Sequence, residues 1–227
     1  IGFKNDCWNA NRCPYYNKRN NMLNSKFSSL NYSMFFSLPD HLKKRKILVC
    51  DEGSELEEQL VSQFTCEIDF VFLKKVGVNI SPFPTSETPV KVIEWLGRLT
   101  ASVGECIGEY ELFFKENKPS SNPAEYTKKK HEYSKVLNFQ NSLVLLVKTY
   151  YDSQYIIEHV EKTIKFTPLK VDKLSKFLFD YADHVVILSA TIIDPPNFAK
   201  TLGIDDYSYV EVSTGFDPKK APIHIMA

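Results

Sequence analysis

Two short runs of consecutive apolar residues are the clearest strand signals in the chain. They are Ile47–Cys50 and Val185–Leu188, and polar residues flank both. Such a run is typical of a strand that is buried on both faces, as in a parallel sheet covered by helices. Small or polar residues of possible motifs follow each run, Asp51-Glu52-Gly53 after the first and Ser189-Ala190-Thr191 after the second. We therefore expect two neighbouring parallel strands whose polar ends meet at one edge of the sheet.

Two long helical stripes lie between these strands. Apolar residues recur at helical spacing from Val92 to Phe114 and again from Tyr126 to Tyr151, and a loop rich in Pro and Ser separates the stripes. Helices of this length joined by a short loop form antiparallel hairpins. The pattern predicts an α/β fold with an α-helical insertion between two strands of the sheet.

Weaker patterns predict the remaining elements. Ser54 and Glu57 have the spacing of a capping box, which predicts a helix over about residues 55–63. Alternating or apolar runs predict further strands, and helical spacing predicts two further helical segments. The strands are Phe70–Leu73, a hairpin of Gln154–Val160 with Thr163–Phe166, and Tyr207–Val212; the helical segments cover residues 21–37 and Leu174–Tyr181.

Composition narrows the class of protein. With 43% hydrophobic residues the chain can form a core, so disorder is excluded for most of it. No apolar run approaches the roughly 20 residues of a membrane helix, and we expect no membrane partner. An odd number of cysteines, five, argues against a secreted disulfide framework. We expect an intracellular protein, cytoplasmic if the source is prokaryotic or viral.

The two ends of the sequence indicate a piece of a longer polypeptide. The chain begins at Ile1 rather than Met, and residues 223–227 have the pattern of an interrupted strand. We therefore expect further segments of the protein on either side.

The acidic motif after the first strand has two interpretations. P-loop ATPases end a buried strand in adjacent carboxylates, so Asp51 would reach Mg²⁺ and Glu52 would take a proton from the attacking water. The alternative is a helix N-terminus, where the helix dipole favours acidic residues. The hydroxyl-bearing tripeptide Ser189-Ala190-Thr191 is equally open. It fits the segment that couples the ATP site to nucleic acid in superfamily 2 helicases, where its hydroxyls can hydrogen-bond the acidic motif. The alternative is a strand followed by an ordinary turn.

The amino-terminal segment carries candidate metal ligands. Five residues separate Cys7 from Cys13, a spacing compatible with one metal centre. A [4Fe–4S] cluster needs four thiolates, and only these two lie in the segment. Two free thiols and a zinc half-site are the alternatives.

Basic and aromatic residues surround these cysteines. Residues 1–46 contain nine Lys and Arg residues against two Asp, although the whole chain has 28 of each sign. Cations that meet phosphates and rings that stack on bases would suit single-stranded DNA, and a solvated basic surface is the alternative. The candidate DNA-binding residues are Arg12, Tyr15, Tyr16, Lys18 and Arg19.

One expected motif of an ATPase is missing from the sequence. Lys-Ser or Lys-Thr follows none of the eight glycines, so the 227 residues contain no Walker A loop.

In this order, the motifs resemble the XPD/DinG family of iron–sulfur DNA helicases of superfamily 2. Cys13–Tyr16 resembles the Cys-Pro-Tyr of the last cluster ligand, and Leu30–Phe36 resembles the segment before the acidic box. Ile47–Glu57 resembles the DEAH box with its helix, and the helical block resembles the arch domain by position and helicity. The rest of the resemblance lies in Phe166–Leu169, Leu174–Ile192 and Phe216–Ile225, the last of which resembles the passage into the second motor domain.

The resemblance implies a part of a RecA-like P-loop ATPase domain, a parallel sheet with flanking helices and an arch-type insertion. It divides the chain into an iron–sulfur segment (1–36), motor domain one (37–80), the arch (81–152) and the return to motor domain one (153–227). The implied activity is ATP-dependent unwinding of DNA with 5′-to-3′ polarity, as in DNA repair. The implied cofactors are ATP, Mg²⁺ and a [4Fe–4S] cluster with an incomplete ligand set here, and the partners are single-stranded or forked DNA and the rest of the helicase polypeptide.

By position, the resemblance implies that Asp51 binds Mg²⁺ and that Glu52 activates water. Ser189 and Thr191 would couple hydrolysis to strand movement, and Cys7 and Cys13 would hold the cluster. Ser54 stands where the family has a coupling histidine. A non-catalytic nucleic-acid-binding or adaptor protein with the same fold, and a zinc-binding module, are the alternatives.

Overall fold

A computed structural model describes residues 14–212, apart from the side chains of Tyr15 and Tyr16. The described part is mixed α/β. The strands are β1 Arg45–Cys50, β2 Cys66–Asp69, β3 Tyr155–Val160, β4 Thr163–Pro168 and β5 Ala182–Ile187. The α-helices are α1 Pro14–Asn24, α2 Tyr32–Ser37, α3 Asp40–Lys43, α4 Leu56–Phe64, α5 Phe70–Lys75, α6 Pro89–Glu116, α7 Pro123–Thr149, α8 Lys176–Phe179 and α9 Pro195–Thr201.

β1 and β5 form a parallel pair, although more than 130 residues separate them in sequence. Cys50 is the register partner of Ile187, and Val49 is the partner of Val186. The predicted pairing of the two apolar runs is therefore confirmed. Because the strands are parallel, their carboxyl ends lie at the same edge of the sheet.

Only one face of this strand pair is buried. Cys50 on the inner face is 2% exposed, whereas Ile47 and Val49 on the outer face are each 55% exposed. The prediction of burial on both faces is therefore wrong for the outer face, because within residues 14–212 the packed helices cover the inner side alone.

The predicted β-hairpin is confirmed as β3 and β4, and it belongs to a second sheet. β4 lies between β2 and β3, and both of these pairings are antiparallel. Cys66 of β2 is the register partner of Phe166 in β4, so the chain before the helical hairpin pairs with the chain after it.

Residues 70–73 form a helix instead of the predicted strand. Asp69 is the reason, since its side chain accepts hydrogen bonds from the backbone N–H groups of Val71 (2.8 Å) and Phe72 (3.0 Å) and so caps α5. The apolar run was ambiguous because a short helix and a strand can bury the same residues.

Three other predicted elements differ from the structure. Residues 207–212 are not a strand, although their apolar residues alternate with polar ones. The stripe from Leu174 to Tyr181 is helical only over α8, with turns before it. The segment 21–37 is divided between the end of α1 and α2, with an irregular stretch between them.

The buried residues form two clusters. The first joins the helical hairpin to the antiparallel sheet, and its largest fully buried members include Trp95, Leu96, Leu143, Leu146 and Phe166. The second lies under the parallel strand pair, where α4 packs with the segment around α8; its buried members are Phe35, Cys50, Leu56, Leu60, Phe64, Val171, Leu174, Leu178 and Leu202. The second cluster supports the edge at which the two motifs lie.

α6 and α7 pack against each other as the predicted antiparallel hairpin. Aromatic rings join them, with the ring centroids of Phe114 and Tyr133 at 5.5 Å and those of Tyr110 and Tyr133 at 6.0 Å. The Tyr110 hydroxyl also donates to Glu132 Oε2 at 3.2 Å. These contacts join the carboxyl-terminal part of α6 to the amino-terminal part of α7, near the loop that connects the two helices.

Within residues 14–212, no helix combines the length and the apolar composition needed to cross a membrane.

The second cluster predicts a position-dependent loss of stability. Leu60 on α4 is fully buried, so Leu60→Ala should lower the free energy of unfolding by about 2–5 kcal/mol through lost contacts and a cavity. Leu112 on α6 is 54% exposed, and Leu112→Ala should cost less than about 0.5 kcal/mol. Urea unfolding followed by circular dichroism measures both. Equal losses in the two variants would contradict the assigned core.

Candidate functional site

The acidic motif forms a turn that lies against the end of β5. The Leu188 N–H donates to the Cys50 carbonyl at 2.8 Å, and the Gly53 N–H donates to the Leu188 carbonyl at 2.7 Å. These bonds extend the strand pairing beyond β1 into the turn. We refer to residues 51–55 as the acidic turn.

Gly53 is required by the closeness of this approach. A Cβ atom at residue 53 would overlap Cγ2 of Ile187 and lie 3.2 Å from the Leu188 carbonyl oxygen. Ile187 is β-branched and held in the strand, so its Cγ2 has little freedom to move. The absence of a side chain at residue 53 therefore allows the acidic turn and β5 to be in contact.

A hydroxyl bridge joins the two motifs. Ser189 Oγ donates to Ser54 Oγ at 3.1 Å, and it accepts a hydrogen bond from the Thr191 N–H at 3.2 Å. The hydroxyls of Ser189 and Thr191 are 3.3 Å apart. The tripeptide is therefore hydrogen-bonded to the acidic turn, through Ser54 and not through either carboxylate.

The predicted capping box is wrong, because the Ser54 hydroxyl bonds to Ser189 and does not cap the helix. Ser54 lies in a 3-10 turn, Gly53–Glu55, and its hydroxyl is engaged with Ser189. The N-cap residue of α4 is Glu55, which makes no side-chain capping bond. The Ser54 side chain therefore links the segment after β1 to the segment after β5, and it does not cap α4.

The two carboxylates occupy consecutive positions on a tightly held backbone. Glu52 has φ 51° and ψ 48°, the left-handed conformation that is uncommon for residues other than glycine. The Glu52 N–H donates to Asp51 Oδ1 at 3.0 Å, and the hydroxyl of Tyr32 donates to the Asp51 carbonyl at 2.6 Å. Both carboxylates are exposed at the sheet edge.

The donor set at this edge fits Mg²⁺ held together with a nucleotide. Asp51 is exposed, and its Oδ2 takes part in no hydrogen bond or ion pair within residues 14–212, so this oxygen can face a cation or its water shell. Mg²⁺ is commonly held by one or two carboxylates with substrate phosphates and waters completing its shell. Within the same residues, no three His, Cys, Asp or Glu side chains are grouped as a protein-only metal site.

An open cleft of about 280 Å³ lies beside the hydroxyl bridge. The 3-10 turn and the start of α4 form one wall, and α9 with the loop before it forms the other. Asp194 caps α9 by accepting from the Asn197 N–H at 3.1 Å, which fixes the second wall. The cleft is lined by Ser54, Glu57, Thr191, Ile192, Ile193, Asp194, Asn197, Phe198, Thr201 and Leu202.

The other candidate residues lie away from these contacts or outside the described part. Lys18 and Arg19 are on α1 together with Tyr15 and Tyr16, and no hydrogen bond or ion pair of the described residues joins Lys18 or Arg19 to the acidic turn. The candidate residues Cys7, Arg12 and Cys13 fall outside residues 14–212.

Two residues of this site have roles that sequence reasoning did not assign. Gly53 is one, because the close approach of Ile187 excludes a side chain at this position. Tyr32 is the other, and its bond to Asp51 spans 19 residues, so no local pattern reveals it. The segment Leu30–Phe36 was recognised only as similar to the stretch before an acidic box.

Comparison of the chain with known protein families gives no match, and comparison with curated protein sequences gives no similar protein.

The contact between Gly53 and Ile187 predicts a coupled loss of stability. Gly53→Ala should destabilise the protein by about 1–3 kcal/mol, because the new methyl group overlaps Ile187 Cγ2. Ile187→Ala removes that carbon. The loss of unfolding free energy in the double variant should therefore be smaller, by about 1–2 kcal/mol, than the sum of the losses in the two single variants. Urea unfolding of the four proteins measures the difference.

Ile187→Val supplies the matched control, since valine keeps the Cγ2 atom. Gly53→Ala should then show no relief in the Ile187→Val background. Strict additivity in the Ile187→Ala background would contradict the close approach of the acidic turn to β5.

Proposed function

We propose that this chain forms part of the first motor domain of an ATP-dependent DNA helicase similar to the XPD/DinG family. The observation that carries the proposal is the hydroxyl bridge from Ser189 to Ser54 at the shared carboxyl edge of β1 and β5. In open α/β sheets, ligands bind outside the carboxyl ends of parallel strands. The candidate ATP-handling residues and the candidate coupling residues lie at such an edge.

The chemistry proposed for the acidic turn is hydrolysis of ATP. Asp51 is exposed, and its Oδ2 has no hydrogen-bond or ion-pair partner among residues 14–212; it would hold the Mg²⁺ that neutralises phosphate charge when it is bound. Glu52 would accept the proton of the attacking water. The restrained backbone of the turn would fix the direction of the Glu52 Cα–Cβ bond relative to Asp51, which limits the positions that the carboxylate can reach.

The coupling proposed for this site follows from its contacts. Ser54 and Gly53 belong to the acidic turn, whereas Ser189 and Thr191 follow β5 closely along the chain. A displacement of the turn during hydrolysis would reach the segment after β5 through one hydroxyl bridge and one backbone hydrogen bond. Ser54 would take the coupling position that a histidine occupies in the family.

DNA is the proposed polymeric partner, and the helical hairpin is the proposed arch. Lys18 and Arg19 on α1 would contact phosphates, and Arg12 with the rings of Tyr15 and Tyr16 would add contacts to the single strand. Cys7 and Cys13 would contribute to the proposed [4Fe–4S] cluster, whose other ligands would come from outside this sequence. The rest of the helicase, with its phosphate-binding loop and second motor domain, is the proposed intramolecular partner.

A non-catalytic DNA-binding or adaptor protein of the same fold is the second candidate. The observation that favours it is the missing phosphate-binding loop, since the 227 residues contain no Gly-Lys-Ser or Gly-Lys-Thr. A Gly-Lys-Ser or Gly-Lys-Thr encoded upstream in the same gene would favour the helicase.

ATP turnover tests the proposed function. We expect the 227-residue chain alone to release no phosphate in the presence of single-stranded DNA, because it lacks a phosphate-binding loop. The full-length protein should hydrolyse ATP, and Glu52→Gln should lower kcat by about 10²–10⁴-fold through loss of the general base. Phosphate release at saturating single-stranded DNA measures both.

Glu57→Gln is the matched control, because Glu57 lies on α4 in the adjacent cleft rather than in the acidic turn. It should keep kcat within about threefold of wild type, a change too small for loss of a general base. A full-length protein without ATP turnover, or a fully active Glu52→Gln variant, would contradict the helicase assignment and favour the adaptor.

A further inference from the structure

A single peptide plane links the two carboxylates of the acidic turn, and both of its polar atoms are hydrogen-bonded. The carbonyl of Asp51 accepts from the Tyr32 hydroxyl at 2.6 Å, and the N–H of Glu52 donates to Asp51 Oδ1 at 3.0 Å. Rotation of this plane would break both bonds. The direction in which the Glu52 side chain leaves the turn therefore depends on Tyr32.

Tyr32 is itself held by a fixed element. It begins α2, whose N-cap residue Asn31 accepts from the Met34 N–H at 2.8 Å. Phe35 of the same helix is 8% exposed, and its ring meets the ring of Tyr181 edge-on with centroids 6.0 Å apart. The phenol thus reaches the acidic turn from a helix that is anchored in the second cluster.

The backbone at Glu52 needs such a restraint. A left-handed conformation is unfavourable for a residue with a side chain and persists where surrounding contacts determine it. On the other side of the turn, the Gly53 N–H bonds to Leu188. Glu52 therefore lies between two fixed peptide groups, and Tyr32 supplies the contact that comes from outside the paired strands.

The Tyr32 phenol also keeps its proton under all ordinary conditions. Its burial and the nearby Cys50, Asp51 and Glu55 raise the pKa of Tyr32 above the usual range. Burial likewise raises the pKa of Cys50 to about 11, so the neighbouring thiol remains neutral. The Tyr32 hydroxyl is thus a hydrogen-bond donor throughout the pH range in which a helicase is assayed.

We propose that Tyr32 is a positioning residue of the ATP site: by holding the carbonyl of Asp51 it fixes the direction in which the Glu52 side chain leaves the turn. In this role Tyr32 acts through the backbone of the turn, because its hydroxyl donates to the Asp51 carbonyl. This inference rests on the proposed function of Glu52 as the general base.

Steady-state kinetics of the full-length protein at saturating single-stranded DNA test the inference. Tyr32→Phe should lower kcat for ATP hydrolysis by about 10–100-fold, because a small misplacement of a catalytic group has effects of this size. KM for ATP should stay within about twofold, since the proposed role of Tyr32 is to hold the backbone of the turn and not to bind the substrate. An unchanged kcat, or an increase in KM that accounts for the loss, would overturn the proposal.

Tyr181→Phe is the matched control. The Tyr181 hydroxyl donates to Asp40 Oδ1 at 2.7 Å and lies by the opposite end of the β1–β5 pair, where the Arg45 N–H donates to the Tyr181 carbonyl. Tyr181→Phe likewise removes one tyrosine hydroxyl that donates a hydrogen bond, in this case to the Asp40 side chain rather than to the acidic turn, so kcat should remain within about twofold of wild type. An equal loss in Tyr181→Phe would show a general structural effect and overturn the proposal.

Amide hydrogen exchange of the 227-residue chain separates positioning from folding. Tyr32→Phe should speed exchange at Glu52 and Gly53 by about tenfold or more and leave the amides of β1 protected, as expected for a local opening. Uniformly faster exchange along β1, or an unfolded variant, would assign Tyr32 to stability and overturn the positioning role.

Glu52→Gln distinguishes the two proposals. An inactive Glu52→Gln together with a fully active Tyr32→Phe would overturn this inference and leave the proposed function intact. A fully active Glu52→Gln would overturn both.

Discussion

The contact between the acidic turn and the end of β5 is the constraint on which the candidate site depends. Residue 53 can lie against Ile187 only because it has no side chain, and the Gly53 N–H then reaches the Leu188 carbonyl at 2.7 Å. With that approach in place, Ser54 meets Ser189. A bulkier residue at position 53 would separate the two motifs and remove the bridge between them.

The rest of the described chain supports this edge from two directions. α4 and the segment around α8 bury the inner face of the parallel pair, which fixes β1 and β5 relative to each other. The helical hairpin and the antiparallel sheet form the other cluster and return the chain to the start of β5. The connection of more than 130 residues thus leaves β1 at its carboxyl end and returns to the amino end of β5, which pairs with β1 in parallel register.

Some of this arrangement could be predicted from the sequence because its signals are local. The apolar runs ending at Cys50 and Leu188 specify strands, and their polar successors suggest a shared edge. The helical hairpin follows from its long apolar stripes, and the β-hairpin from a change to strand-like spacing. Here periodicity and turn residues agree with the tertiary structure, which is the condition under which sequence patterns predict well.

Other features depend on contacts between distant residues and leave no local signal. The side chain of Asp69 converts the apolar segment after it into a helix, and the alternating segment 207–212 finds no strand partner among the described residues. Ser54 has the spacing of a capping residue, yet its hydroxyl bonds to a residue 135 positions later. The Tyr32 hydroxyl is similar, since the pattern around it specifies a helix start but not what its phenol contacts.

Disulfide trapping tests the juxtaposition of the two motifs most directly. Ser54 and Ser189 have hydroxyl oxygens 3.1 Å apart, so the variant with Ser54→Cys and Ser189→Cys should form a disulfide under mild oxidation, identified by mass spectrometry of the linked peptides. Ser54→Cys paired with Ser134→Cys, on the exposed surface of α7, should form none. Rapid and near-complete linkage of the first pair alone is the predicted result. Absence of a disulfide between positions 54 and 189, or equal linkage in the control pair, would contradict the account.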